Sequence, residues 1–346
     1  MELAIIGAGV TGLAAARRLR GILPDLQITL YEKSRGLGGR AATRRRDGFT
    51  FDHGAQCFKT PSAALEQFIR EELDAQDLFD ITKPVWVFDQ ANTIAEGDPL
   101  QNAEAKWCYR GGMNTLGRLL GAGLQVRREV RIGSIHQQEQ GWSLFDDRGN
   151  TVGHADLLLF TAPGPQSADI LAASQFSSAS DRQAQLINTL QQATYRRCLS
   201  FAFGYDQIVH RPYYALINTD RQHPIAWLAL EHTKGEQRCP AGHSLLIAQM
   251  SPHFSSTNWD APIEQIGPQV NQLVGDLLAE DLGPPLWADR QGWRYALPDS
   301  KASAADLDTP DLGIFFAGDY SAGLGRVHLA IEEGWRAADA ISTRLG

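Results

Sequence analysis

The chain has 346 residues, 43% of them hydrophobic and 21% charged, which allows two ordinary globular cores and excludes a disordered or fibrous class. Its net charge of −8 argues against general nucleic-acid binding, and no stretch approaches the ~18 apolar residues that a membrane span requires. Cys57, Cys108, Cys198 and Cys239 form no CxxC pair, which points to free thiols in a reducing, cytoplasmic compartment.

In chain order, Leu3 to Ile6 reads as a short apolar strand, GAGVTG as a turn and LAAARRL as a helix. A strand starting at Leu3 is expected to leave no room for a removable leader. Pro24 and Asp25 punctuate the connection to a second strand, Gln27 to Tyr31. The pattern is helical from Pro61 to about Asp74, and Trp86 to Phe88 reads as a strand. Arg127 to Leu144 reads as a β-meander turning at HQQEQG and DDRGN, and ADLLLFTAPGP as a buried strand stopped by Pro163 and Pro165. Residues 180–195 read as a helix, 198–250 as several strands, and 261–281 as a helix. GIFFAGDY is a late strand breaking into a glycine-rich turn, and an amphipathic helix follows from Val327. Nucleotide-like features therefore lie toward both ends of the sequence. The expected architecture is α/β: a discontinuous Rossmann-like nucleotide-binding domain (1–60, 105–170, 305–346) with an inserted α+β substrate domain (61–104, 171–304) on a mostly antiparallel sheet.

Gly7, Gly9 and Gly12 form GxGxxG between the first strand and helix, with Val10 and Thr11 on its helical side. The first glycine permits the turn, the second lets backbone approach a pyrophosphate, and the third lets helix and strand pack closely. Glu32 follows twenty residues after Gly12, where a carboxylate accepts from ribose hydroxyls and repels a 2′-phosphate. FAD and NAD remain, and three features choose FAD. EKSRGLGGRAATRR follows directly, with glycines that let a loop return under the pyrophosphate. Ala317, Gly318 and Asp319 end a strand where a carboxylate suits a ribityl chain, and a helix N-terminus near Arg326 and Val327 suits negative charge on a reduced flavin.

GAGVTGLAAARRL, EKSRGLGGRAATRR, FDHGAQCF, YRGGMNTL, TAPGPQ and AGDY, in this order, resemble the flavin amine-oxidase superfamily, and KSRGLGGR, DHGAQCF and GWRYALP are most similar to bacterial renalases. The resemblance implies that Glu32 binds the adenosine ribose, with Lys33 beside it, and that Gly39 and Arg40 lie near the pyrophosphate. It also implies that Val130 meets the adenine through its backbone, Ala55 and Gln56 lie close to the flavin, Gly318 and Asp319 hold the ribityl or phosphate oxygens, and Arg326 and Val327 face the pyrimidine end. Arg44, Arg45 and Arg46 read as solvated or ion-paired rather than as ligands.

The implied activity is an FAD-dependent oxidase that takes a hydride from misreduced dihydropyridine isomers of NAD(P)H onto flavin N5, with O2 as reoxidant and H2O2 as product. Such a step needs orientation more than an acid or base. Gln56, Trp227, His232, Gln249, Trp293 and Tyr295 are the pocket candidates, of which Gln56, Trp293, Tyr295 and His232 carry the catalytic expectation. Where bacterial renalases carry a histidine before their next substrate-side strand end, LLIAQMSPHF departs from the pattern and offers Ala248 and Gln249 instead. Lys234 and Lys301, in polar loop-like contexts, do not read as buried active-site lysines, and no cysteine follows Cys239 to form a late thioether, so FAD is expected to be non-covalent. No HxH or HExxH spacing suggests a metal, and no nucleophile elbow suggests a hydrolase. An amine oxidase, a desaturase-like enzyme of apolar substrates and a flavin-binding protein without turnover stay open, as does the oligomeric state.

Overall fold

The computed structural model describes residues 1–177 and 179–346. The chain divides into two compact units, one made of Met1–Ala41, Leu116–Tyr195 and Leu297–Gly346, the other of Ala42–Thr115 and Arg196–Ala296. Residues 42–60 and 105–115 therefore leave the expected cofactor body for the second unit. The hairpin Thr43–Arg46/Phe49–Asp52 takes its partners there: Asp52 accepts from Thr43, Met113, Lys234 and Arg238. Residues 171–195 and 297–304 move the other way, because the helix Ser180–Gln191 buries Leu186 and Leu190 in the first unit's core.

The first unit is built on a five-stranded sheet in the order Ile314–Phe316, Leu157–Phe160, Glu2–Ile6, Gln27–Glu32, Gln125–Arg128, with every pairing parallel. Parallel strands covered on both faces become uniformly apolar, and Leu157, Leu158, Leu159 and Phe160 are all buried. Gln125–Arg128 is an edge strand of this sheet and not the start of the meander. Its polar residues suit an edge, where charge blunts unwanted pairing. The meander itself is Ile132–Gln137, Trp142–Asp146 and Thr151–Ala155. The helices Val10–Ile22 and Val327–Leu345 pack closely at Gly334, where a Cβ would meet Thr11 O at 2.5 Å and Ala15 N at 3.0 Å.

The second unit carries a seven-stranded sheet ordered Trp287–Pro298, Tyr195–Tyr205, Ser244–Met250, Ile225–Leu230, Ala215–Asn218, Val85–Phe88, Ile94–Ala95. The assigned pairings are antiparallel except Ala215–Asn218 with Val85–Phe88. Alternation sends Leu199, Phe201, Phe203, Leu228, Leu230 and Leu246 into one core with Val270 and Val274 of the helix Ile263–Leu278. The opposite face carries Ser200, Gln249 and Trp227, paired side by side across three strands. Among the described residues, no helix is long and apolar enough to cross a membrane.

Candidate functional site

In the first unit the glycine turn is shaped from both sides. Gly7 has φ +114°, and a Cβ there would lie 2.8 Å from Thr161 Oγ1; at Gly12 it would lie 2.2 Å from Gly7 O. Gly9 is the opposite case: a Cβ would meet nothing within 4 Å, so this position opens onto free space at the helix N-cap. The amides of Val10, Thr11 and Gly12 precede the first intrahelical bond, Leu13 N to Gly9 O, and have no acceptor on their own helix. A helix N-terminus with an open approach is an anion cradle.

The loop after the second strand folds onto this turn. Gly38 N donates to Ala8 O at 2.9 Å, and a Cβ on Gly39 would lie 3.3 Å from Gly9 Cα. Glu32 is 7% exposed; its two carboxylate oxygens accept from Ala8 N at 2.9 Å and Ser34 N at 2.8 Å, so it ties the glycine turn to the returning loop. Val130 donates its amide to Glu32 O at 3.0 Å. Arg40 donates to Asp319 Oδ2 at 2.6 Å, and Tyr195 OH to Asp319 Oδ1 at 2.7 Å. Gly318 precedes Asp319 in extended backbone. Lys33 lies on the surface, donating to Gln166 at 3.2 Å. Arg326 is the exposed N-cap of Val327–Leu345, its side chain on Gly325 O at 3.2 Å.

In the second unit the turn Asp52–Gln56 is a hub. Gln56, 7% exposed, donates to Asp52 O, Gln249 donates to Gly54 O at 2.7 Å, and Trp293 donates to His53 O at 2.8 Å while stacking on its ring at 5.4 Å. Trp227 sits beside Gln249 in register, half-buried Ala55 completes the turn, and Tyr295 follows Trp293 by two residues on the same strand face. Gln56, Gln249 and Trp293 thus meet at one turn, with Trp227 beside Gln249. His232 does not: its ring nitrogens face Leu245 O at 3.2 Å and Val209 O at 3.1 Å, which makes it a bracket between chain segments. Arg44 pairs with Asp289 and bonds Gln291, Arg45 bonds Gly111 O, and Arg46 bonds Ala288 O at 3.2 Å over the Trp287 ring, so these arginines are held by protein groups.

Lys234 requires a correction, because it is not a loop lysine. It lies with Asp52, Glu231 and Arg238 in a cluster whose four side chains are 0% exposed. Its Nζ is 3.0 Å from Asp52 Oδ2 and 2.8 Å from Glu231 Oε2, while Arg238 Nη1 is 2.9 Å and 2.7 Å from the same two residues. Two carboxylates and two cations cancel. Burial pushes the Asp52 carboxyl up, but Lys234 and Arg238, with bonds from Thr43 and Met113, outweigh it and hold the group well below the usual range. Burial likewise opposes charge on Lys234, and the two carboxylates outweigh it. Lys301 is exposed, as expected.

Residues 78–342 match the model of the flavin containing amine oxidoreductases, and residues 5–71 match that of an NAD(P)-binding Rossmann-like domain. The chain belongs to the flavin-containing amine oxidoreductase family. Its fold is similar to that of a protein described as a protoporphyrinogen oxidase from Exiguobacterium sp. 255-15, with TM-score 0.78, 18% identity and coverage of 99% and 98% of the two chains. It is also similar to a putrescine oxidase bound to putrescine, with TM-score 0.75, 16% identity and coverage of 99% of each chain. Among curated sequences, 4,4'-diapophytoene desaturase of Staphylococcus haemolyticus is 38% identical over 89 residues, which span 26% of this chain and 17% of that protein. The Staphylococcus aureus (strain Newman) desaturase is 35% identical over the same length.

The first unit fits an FAD pyrophosphate: the open Gly9, the helix N-terminus after it and the returning loop at Gly38–Gly39 place backbone amides beside an unobstructed approach. In the second unit, His53 of FDHGAQCF joins this turn although no spacing in the sequence singles it out. His53 is 7% exposed with Nδ1 unpartnered, and burial, then the Arg44 guanidinium, lower its pKa from 6.5 to about 4. The folded chain therefore resists a proton that the unfolded chain accepts. This contribution to stability is complete above pH 6.5 and shrinks as pH falls toward 4, by about 3 kcal/mol in all. Urea midpoints measured between pH 7 and 4.5 should fall less steeply for His53→Asn than for wild type; parallel curves would show the ring to be solvated.

Proposed function

We propose that this protein is an oxidase of misreduced dihydropyridine isomers of NAD(P)H, the renalase-type activity. The chemistry supplied by bound FAD is two-electron acceptance from a hydride donor, with O2 as terminal oxidant and H2O2 as product. The observation that carries the reading is charge balance around the Asp52–Gln56 turn. Asp52 and Glu231 are both spent on Lys234 and Arg238, and the lowered pKa of His53 keeps its ring neutral near pH 7. No carboxylate at the turn remains to grip an ammonium. A dihydropyridine needs neither a proton acceptor nor a counter-charge to give up hydride, because aromatisation drives the step; it needs orientation. Gln56, Gln249 and Trp293, fixed to consecutive carbonyls of one turn, supply a rigid wall for that purpose.

A second reading, amine oxidation, is favoured by the complete burial of Lys234 at 3.4 Å from Gln56 Oε1. Anaerobic mixing of the FAD-loaded protein with candidate reductants decides between them. Dihydropyridine isomers should bleach the flavin absorbance in seconds or less, while putrescine and other amines leave it unchanged. Bleaching by amines alone would replace the first reading with the second, and slow or absent bleaching by every reductant would overturn both.

A further inference from the structure

Several buried polar atoms in the second unit have no partner, and three of them lie together. Ser200, Gln249 and Trp227 are neighbours in register on the sheet face opposite the helix Ile263–Leu278. Ser200 is 1% exposed and its Oγ is unpartnered; Trp227 Nε1 is buried and unpartnered. Tyr214, 0% exposed, stands edge-on to Trp227 at 6.1 Å and 67°, and its hydroxyl is also unpartnered. Between the first two, Gln249 is anchored to Gly54 O, which places this row against the Asp52–Gln56 turn. Ser200 and Trp227 are two strand spacings apart, roughly 10 Å, about the breadth of a small ring and its substituent.

Buried donors without acceptors are costly, and in native proteins they mark a strained or catalytic site or a bound water, ion or ligand; three on one face, beside the turn described above, favour a ligand. The donor types identify the ligand chemistry. An indole N–H only donates, and the two hydroxyls are free to turn their hydrogens the same way, so the missing groups are acceptors. The nearby cation, Lys234 Nζ at 5.7 Å from the Tyr214 ring, is neutralised within its own cluster. We infer that the row Ser200–Gln249–Trp227, with Tyr214, is a recognition subsite for a neutral, planar ligand bearing a hydrogen-bond acceptor, namely the ring carboxamide of the dihydropyridine, and that it discriminates against ammonium groups. This rests on the function proposed above and names the part of the substrate that this face reads.

Equilibrium titration of the FAD-loaded protein with nicotinamide, 3-methylpyridine and benzylammonium tests it, because the first two share a neutral ring and differ in the acceptor. Nicotinamide should bind at least tenfold tighter than 3-methylpyridine, and benzylammonium should not compete. In Trp227→Phe and Ser200→Ala the preference should fall to threefold or less. Ser200→Ala should also unfold at the same temperature as wild type or higher, because it removes a hydroxyl that bonds nothing in the free protein. Equal binding of the two neutral rings, tighter binding of benzylammonium, an unchanged preference in both variants, or a lowered unfolding temperature for Ser200→Ala would each overturn the subsite. The readout is separate from flavin bleaching: a preference lost on substitution, without bleaching by dihydropyridines, sinks the proposed function and leaves the subsite standing. Bleaching with an unchanged preference does the reverse.

Discussion

Replacing Lys234 with methionine is expected to cost about 3–5 kcal/mol of folding stability. The side chain is 0% exposed and its ammonium lies within 3.0 Å of both Asp52 and Glu231. Methionine fills much the same volume, so the loss is electrostatic and not a cavity. Two buried carboxylates would then share Arg238 alone, in surroundings where an uncompensated charge is not solvated. Part of that penalty is relieved if Glu231, whose pKa burial already raises, takes up a proton in the variant. The variant should therefore recover stability on mild acidification while wild type does not. Urea unfolding at pH 7 and pH 5.5 measures both effects. A loss below 1 kcal/mol at pH 7 would mean that water reaches the cluster, and would remove the ground for treating the turn as charge-neutral.

The second large effect separates two glycines of one motif. Gly9→Ala should leave the fold within about 1 kcal/mol of wild type, since its backbone is in an ordinary extended conformation and a Cβ meets no atom within 4 Å. The same methyl occupies the open approach to the helix amides, so FAD affinity should fall at least tenfold. Gly12→Ala should behave in the opposite order. Its Cβ would lie 2.2 Å from Gly7 O, and such overpacking costs about 1–3 kcal/mol before any ligand is considered. Flavin retained after gel filtration, a Kd from flavin fluorescence and a urea midpoint for each variant give the comparison. Wild-type FAD affinity in Gly9→Ala would show that the dinucleotide does not approach over that turn.

The cofactor half of the molecule was legible because its requirements are local. A strand, a glycine turn, a helix and an acid at the next strand end fall within thirty-two residues, and each has a composition that few other structures demand. Lys234 was not legible for the converse reason. HTKGEQR is polar and turn-like over its own length, and what buries it is Asp52, 182 positions away. One sign was present: Glu231 follows the wholly apolar strand IAWLAL with no polar spacer, so the chain has little opportunity to reach solvent before Lys234. The hairpin Thr43–Arg46/Phe49–Asp52 was hidden by its arginines, whose partners Asp289, Gln291 and Ala288 lie more than 240 residues later. Arg127 and Arg128 read as the start of the meander because their edge strand has no apolar face by which to recognise its sheet.

The pairing of the helices Val10–Ile22 and Val327–Leu345 has a consequence for biosynthesis. The helix that carries the glycine motif leaves the ribosome some three hundred residues before the helix against which Gly334 seats it. At roughly 5–20 residues per second, that interval lasts about 15–60 s. Throughout it the early helix lacks its late partner, and FAD has no finished cradle to enter. Loading of the cofactor is therefore a late event in the life of each molecule, and a nascent chain stalled before Val327 should hold no flavin, although its entire glycine motif has already been made.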